Sequence, residues 1–164
     1  MTEPAWLEAA RLDIGNAETL GPNDSPWLRR MWAELAGSWL LGQPWCGGAV
    51  AHWMRAAHVA YPKNYFRAKA WLDWGIPLSA PAVGCVVVFD REGGGHVGLV
   101  VGRTTGGNLL VLGGNQGNAV NIKPFAISRV LGYRWPVHTH EEPAEGMTKL
   151  PVYVAETALS EREA

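Results

Sequence analysis

The chain changes from helical to strand periodicity at residues 83–102, which read VGCVVVFDREGGGHVGLVVG. Two β-branched runs, 83–90 and 96–102, flank a turn that contains three consecutive glycines. A connection this short can join only antiparallel neighbours. The stretch therefore predicts an antiparallel β-hairpin.

Helical patterns precede this hairpin and strand patterns follow it. Apolar residues recur at helical spacing over 3–12, 26–37, 45–58 and 66–74. Further strand-like runs occupy 108–113, 119–122 and 130–135. This order predicts an α+β fold in which N-terminal helices pack on an antiparallel β-sheet.

Composition excludes several classes of protein. A chain of 164 residues with 48% hydrophobic residues has the length and apolar content of one globular domain. A net charge of −1 argues against a nucleic-acid partner, and the sequence has no apolar run long enough for membrane insertion. The first residues lack the pattern of a targeting segment, so we expect synthesis in the cytoplasm without a signal peptide.

The charge is unevenly distributed along the chain. Residues 138–164 hold six acidic and two basic side chains, and the hydrophobic pattern thins after Pro136. We therefore expect a domain over 1–136 and an acidic C-terminal extension over 137–164 that is partly ordered at best.

Cys46 is the candidate nucleophile. It lies in the first turn of the helix predicted over 45–58, where unpaired backbone N–H groups and the helix dipole favour a thiolate. The alternative is a small buried side chain, which is common for a free cysteine. Cys85 lies within a β-branched run, so we expect it to be structural.

His96 is the candidate base, because it opens a strand that can face a helix N-terminus across the interface. A catalytic imidazole needs an acceptor on its second nitrogen. Asn115 ends the next strand, so antiparallel pairing predicts it beside His96. The alternatives are a histidine bonded to backbone and a turn asparagine, with Asp90 as a competing acceptor.

Four further residues are candidates for substrate contact. Gln43 offers a side-chain amide for an oxyanion, in addition to the backbone N–H of Cys46. Trp45 and Trp74 can form the walls of a groove, although packing is the commoner role of such residues. Gln116 adjoins Asn115 and can also contact substrate. The sequence contains no metal-binding motif and no nucleotide-binding loop, so we expect neither a metal nor a cofactor.

Together these segments resemble papain-like cell-wall amidohydrolases of the CHAP and NlpC superfamily, in particular a phage-type subfamily of cysteine peptidoglycan hydrolases. The resemblance covers roughly residues 5–136 and rests on PWCGGAV (44–50), WLDWG (71–75), VVVF (86–89), GHVG (95–98), VLGGNQ (111–116) and LGYRWP (131–136). One departure is Cys85, which stands where many relatives have aspartate after the glycine.

The resemblance implies a papain-like fold and hydrolysis of a peptidoglycan amide bond. Carried over to this sequence, Cys46 is the nucleophile, His96 the base and Asn115 the orienting residue. The bond is either that between muramic acid and L-alanine or one within the stem peptide.

The implied partner is bacterial peptidoglycan, with a cognate inhibitor or delivery machinery as further partners. Action on the cell wall then follows release, as for a phage endolysin, or delivery, as for an antibacterial effector. An acyltransferase or thioesterase on the same fold and a non-catalytic wall-binding or phage structural component are the alternatives.

Overall fold

Helices and sheet follow one another along the chain in the computed structural model, which describes residues 3–19 and 25–154. The α-helices are α1 (Ala5–Leu12), α2 (Pro26–Glu34) and α3 (Cys46–Ala56). The strands are β1 (Ile76–Leu78), β2 (Val86–Arg91), β3 (Gly94–Thr104), β4 (Leu109–Gly113), β5 (Asn121–Phe125), β6 (Val130–Trp135) and β7 (Val152–Tyr153). The predicted α+β class is confirmed.

The sheet has the order β1-β6-β2-β3-β4-β5, and every pair along this path is antiparallel. Its central hairpin pairs β2 with β3, as residues 83–102 predict. The short strand β7 pairs in parallel with the end of β3. Strand β1 was not expected, and the helical segment predicted over 66–74 is a 3₁₀ helix, Ala68–Asp73.

Local sequence explains where α2 begins. Ser25 is its N-cap and accepts a hydrogen bond from the Leu28 backbone N–H at 3.2 Å, and Pro26 occupies the first helical position. Leu28, Met31 and Trp32 form the buried face of the helix. This face contacts α3 and completes the helical layer.

Helix α3 packs against β3, and glycines at its start allow close contact with the chain around it. A Cβ on Gly47 would collide with the backbone carbonyl of Tyr65. A Cβ on Gly48 would lie 2.8 Å from the ring of Trp32. The position of Cys46 at the helix start is thus fixed by contacts that only glycine permits.

We expect Gly47→Ala to lower the free energy of unfolding by roughly 2 kcal/mol, because the added methyl group meets backbone that no rotamer change can move aside. This cost exceeds the gain in helix propensity, which is about 1 kcal/mol. Thermal unfolding followed by circular dichroism measures the effect. Gly106→Ala is the control, since a Cβ there meets only Thr104 Oγ1 at 3.8 Å. Equal melting temperatures for the two variants would contradict the prediction.

The segment after Pro136 packs on the domain as far as it is described. Trp135 Nε1 donates to the Glu141 carbonyl at 2.9 Å, and Gly146 N–H donates to the Pro81 carbonyl at the same distance. Leu150 is buried, and Arg103 N–H donates to the Pro151 carbonyl at 2.9 Å. Part of the expected extension, up to Tyr153 in β7, thus contacts the preceding domain. The remainder, after residue 154, lies outside the described residues.

None of the helices within residues 3–19 and 25–154 is both long enough and apolar enough to cross a membrane.

Candidate active site

Cys46 occupies the first position of α3. The preceding residue, Trp45, is the N-cap but caps no backbone N–H with its side chain. The backbone N–H groups of the first turn therefore receive no hydrogen bond acceptor from the Trp45 side chain, and they lie at the end of the helix that carries the thiol. The side chain is buried except for 5% of its surface, and this part faces a cleft.

His96 lies on β3, the strand against which α3 packs, and its side chain is fully buried. Its Nε2 lies 3.0 Å from Gln116 Oε1. Its Nδ1 has no hydrogen-bond partner within the described part of the chain. Since His96 is also the side chain whose charge acts most strongly on Cys46, Nδ1 is the nitrogen left for the thiol.

The amide of Gln116 is held in one orientation by carbonyl oxygens. Its Nε2 donates to the Val111 carbonyl at 3.2 Å and to both the backbone and side-chain oxygens of Asn121 at 3.0 Å. Asn121 Nδ2 in return donates to the Gln116 carbonyl at 2.7 Å. Because the amino group must face these oxygens, Oε1 must face His96.

This orientation determines the tautomer of His96. A carbonyl oxygen only accepts, so Nε2 must carry a proton and donate it to Gln116. In the neutral imidazole Nδ1 then holds a lone pair, which is what a base needs in order to take the thiol proton.

The contact predicted for Asn115 is made by Gln116 instead. The ladder between β3 and β4 does bring this region beside His96, as expected, but β4 ends at Gly113. Asn115 then adopts a left-handed conformation with φ of 59°, and the turn returns the Gln116 side chain beneath the strand. The side-chain contact with His96 that was expected of Asn115 is thus made by Gln116, and Asn115 is also buried.

Aromatic rings hold the His96 imidazole in its plane. The ring of Phe125 is nearly parallel to it, with an interplanar angle of 8° and centroids 5.3 Å apart. Phe89 stacks on Phe125 at 4.5 Å. The guanidinium of Arg129 lies 5.7 Å from the ring centroid of Phe89 and 5.5 Å from that of Phe125. The imidazole is therefore positioned by ring stacking as well as by Gln116.

Electrostatics favour a thiolate at Cys46. Burial alone would raise the pKa of this thiol, but the charge and hydrogen-bonding capacity of His96, the Val97 backbone N–H and the charge of Arg91 together hold the pKa below its ordinary value. Cys85 is the contrast, because burial raises its pKa to about 12. Both cysteines are free, and of the two Cys46 is the candidate for a reactive thiol.

A cleft of about 560 Å³ opens over Cys46. It is lined by residues 39–44 before α3, by residues 66–69 and by the β2–β3 turn. Gln43 lies in this lining and is exposed, so its amide is available to a substrate oxygen near the sulfur. Together with the Cys46 N–H it can stabilise an oxyanion.

The other predicted substrate contacts lie elsewhere. Trp45 is 1% exposed, donates to Glu18 Oε1 at 3.2 Å and packs on Trp27. Trp74 packs on Trp71 and donates to the Ala60 carbonyl at 2.9 Å. Neither tryptophan lines the cleft, and Gln116 is fully buried beneath His96, so it cannot contact substrate.

Aromatic residues of the cleft were missed by the sequence reasoning. Trp39, which is 71% exposed, and Phe66 both line it, and their ring centroids are 5.3 Å apart. Trp39 lies in a single 3₁₀ turn, Ser38–Leu40, and Phe66 precedes the next 3₁₀ helix. Such short segments have no periodicity, although an isolated tryptophan between two predicted helices was a usable signal.

Within residues 3–19 and 25–154, no group of three or more His, Cys, Asp or Glu side chains is arranged so that it could hold a metal ion. His52 contacts acidic residues instead, with its ring nitrogens 3.4 Å from Asp13 and 3.5 Å from Glu34. It is thus separate from the cysteine site.

Comparison with known proteins returns no match, whether against family models, curated proteins or solved structures.

Proposed function

We propose that the protein is a cysteine hydrolase that cleaves an amide bond of bacterial peptidoglycan. The reaction type is supported by the buried series of side chains Cys46, His96 and Gln116. In it, His96 lowers the pKa of the Cys46 thiol, and Gln116 fixes the tautomer of His96. The substrate class is supported by the sequence segments that resemble cell-wall amidohydrolases. Action on the cell wall after release or delivery belongs to the same proposal.

The reaction begins with transfer of the thiol proton to His96 Nδ1. The thiolate sulfur attacks the amide carbon, and the Cys46 N–H and Gln43 amide stabilise the oxyanion. When the C–N bond breaks, the imidazolium returns its proton to the leaving amine, which leaves a thioester on Cys46.

The second half of the reaction releases the acid. A water molecule enters the cleft, His96 Nδ1 removes its proton, and the hydroxide adds to the thioester carbon. The sulfur leaves and takes the proton back from His96, so the thiol and the neutral imidazole are restored.

Digestion of purified sacculi by wild type and by Cys46→Ala tests this proposal. We expect soluble fragments from wild type only, because the alanine variant has no nucleophile. Mass spectrometry of the new termini identifies the bond: whole stem peptides indicate an amidase, and cut stems indicate an endopeptidase.

Cys85→Ala is the matched control, since its buried thiol has a pKa raised to about 12 and lies apart from His96. This variant should digest sacculi if it folds, which circular dichroism establishes. Absence of release from several wall types by folded wild type would contradict the proposal and favour an acyltransferase or a binding protein.

A further inference from the structure

We propose that Trp39 stacks on a sugar ring of the substrate, so that the amide bond cut by the protein is the one nearest the sugar, between muramic acid and L-alanine. The inference rests on the proposed function for the identity of the substrate, and it deepens that function by choosing between the two kinds of amide bond. Two observations support it: the exposure of Trp39 and the cleft that it shares with Cys46.

Trp39 differs from the other eight tryptophans of the chain in its exposure. It is 71% exposed, whereas the others are buried or half-buried. Seven of those eight also donate their indole N–H to an acceptor of the protein: Trp6, Trp27, Trp45, Trp53, Trp71, Trp74 and Trp135. Packing within the fold thus accounts for these rings, but for only a small part of the surface of Trp39.

The backbone that carries Trp39 is nevertheless held in place. Trp39 lies in the 3₁₀ turn Ser38–Leu40, whose last residue, Leu40, is buried. The Leu40 N–H donates to the Gly37 carbonyl at 2.8 Å. The ring itself contacts Phe66, with centroids 5.3 Å apart and an interplanar angle of 78°. Trp39 is therefore an exposed ring on a fixed turn, which reduces the entropy lost when a ligand binds.

An open surface of the indole is available to a ligand. The near-perpendicular contact with Phe66 takes up an edge or one face of the ring, and an indole has two faces. Since 71% of the side chain is exposed, the surface that Phe66 leaves uncovered is open to solvent. Trp39 lines the cleft over Cys46, so this surface is offered to a group of the substrate near the bond that is cut.

The exposure of the ring favours a sugar over an apolar side chain as its ligand. A pyranose ring has C–H groups on its face, which pack on an aromatic face, and hydroxyl groups around its edge, which need water or polar partners. An aromatic ring that is open to solvent meets both requirements, because the stacked face is covered while the hydroxyl groups remain hydrated. An apolar side chain in the same place would keep much of its surface in water and gain less.

The size of the cleft relates the sugar to the bond that is cut. A volume of about 560 Å³ is usual for a small-molecule site, so the cleft holds only groups that are close together in the substrate. Trp39 and Cys46 both line it. Among the amide bonds of peptidoglycan, the one between the lactyl group of muramic acid and L-alanine lies nearest a sugar ring. The stacked sugar is therefore muramic acid.

Binding of the sugar can be measured without cleavage. The Cys46→Ala variant is labelled with 5-fluorotryptophan and titrated with the disaccharide N-acetylglucosaminyl-N-acetylmuramic acid, and the titration is followed by ¹⁹F NMR. The signal that disappears when Trp39→Phe is added belongs to Trp39. We expect this signal to shift most, because none of the other eight rings lines the cleft. An unchanged Trp39 signal at tens of millimolar disaccharide would overturn the proposal.

The second arm compares two substrates that have the same amide bond. One is the muramoyl stem peptide, and the other carries a D-lactyl group in place of muramic acid, so that it lacks only the sugar. We expect wild type to cleave the muramoyl form with a kcat/KM about tenfold higher, the size expected for a well-packed tryptophan contact. Trp39→Ala and Trp39→Leu should remove this preference, whereas Trp39→Tyr should keep part of it, because stacking needs a planar ring.

Tyr153→Ala is the matched control, since Tyr153 is a half-exposed aromatic residue outside the cleft. It should keep the wild-type preference, and circular dichroism establishes that each variant folds. Equal cleavage of the two forms by wild type, or an equal loss for both forms in Trp39→Ala, would contradict the assignment of a sugar to Trp39.

The digestion of sacculi separates this inference from the function on which it rests. Cut stems in the digest overturn the choice of bond, while the proposed hydrolase function stands. If wild type releases nothing from sacculi, the proposed function fails. The NMR titration then still decides whether Trp39 binds a sugar: a shift of its signal supports the stacking, and an unchanged signal overturns it.

Discussion

Replacing His96 by alanine is expected to lower the rate of amide hydrolysis by about 10²–10⁴-fold and to move the alkylation of Cys46 to higher pH. Burial alone raises the pKa of this thiol, and His96 is the strongest of the groups that offset burial. Without the imidazole, the effect of burial dominates. The pH midpoint for thiolate formation is then higher than in wild type.

The rate of reaction with iodoacetamide as a function of pH measures this shift, with the modified peptide identified by mass spectrometry. The Cys85 peptide is an internal control, because this thiol is fully buried and its pKa is raised to about 12, so it should react far more slowly than Cys46. His140→Ala, at an exposed histidine, should keep the wild-type profile. The same pH midpoint in His96→Ala and wild type would contradict the assignment of His96 as the partner of the thiol.

Gly113→Ala is expected to reduce hydrolysis by about 100-fold, the cost of a small displacement in a catalytic constellation. A Cβ at this position would collide with Gln116 Oε1 and lie 3.3 Å from His96 Nε2. The amide is held from its other end by Asn121, so it can move away only by losing its contact with His96. The measurement is kcat/KM together with the free energy of unfolding.

A double-mutant cycle with Gln116→Ala separates this effect from general damage to the sheet. Once the Gln116 side chain is removed, the methyl group at Gly113 has no amide to displace. Gly113→Ala should then cause little further loss of activity. If the two losses simply multiply, the methyl group acts through something other than the amide.

Elements with long regular patterns were predictable from sequence. Helix α3 and the β2–β3 hairpin follow from apolar spacing and a glycine turn, and the placement of Cys46 and His96 follows from them. Helix α2 had a recognisable cap in Ser25. These features depend on local preferences that a sequence records directly.

Features that depend on single turns or backbone contacts were not predictable. Gln116 rather than Asn115 contacts His96, in a turn where Asn115 adopts a positive φ. The sequence pattern does not indicate this conformation. The packing of residues 137–154 relies in part on backbone hydrogen bonds, such as that from the Gly146 N–H to the Pro81 carbonyl, and such bonds leave no pattern in the sequence. The cleft tryptophan Trp39 lies in a single turn without periodicity.

The stacking of His96 on Phe125 restricts the orientational freedom of the imidazole ring in the folded protein. A swing of the imidazole out of plane would break the ring contact, and a rotation within the plane would break the bond to Gln116. The ring therefore keeps its two nitrogens in place throughout the proton transfers proposed for it. Its orientational freedom is lost once, when the chain folds, and need not be lost again in each turnover.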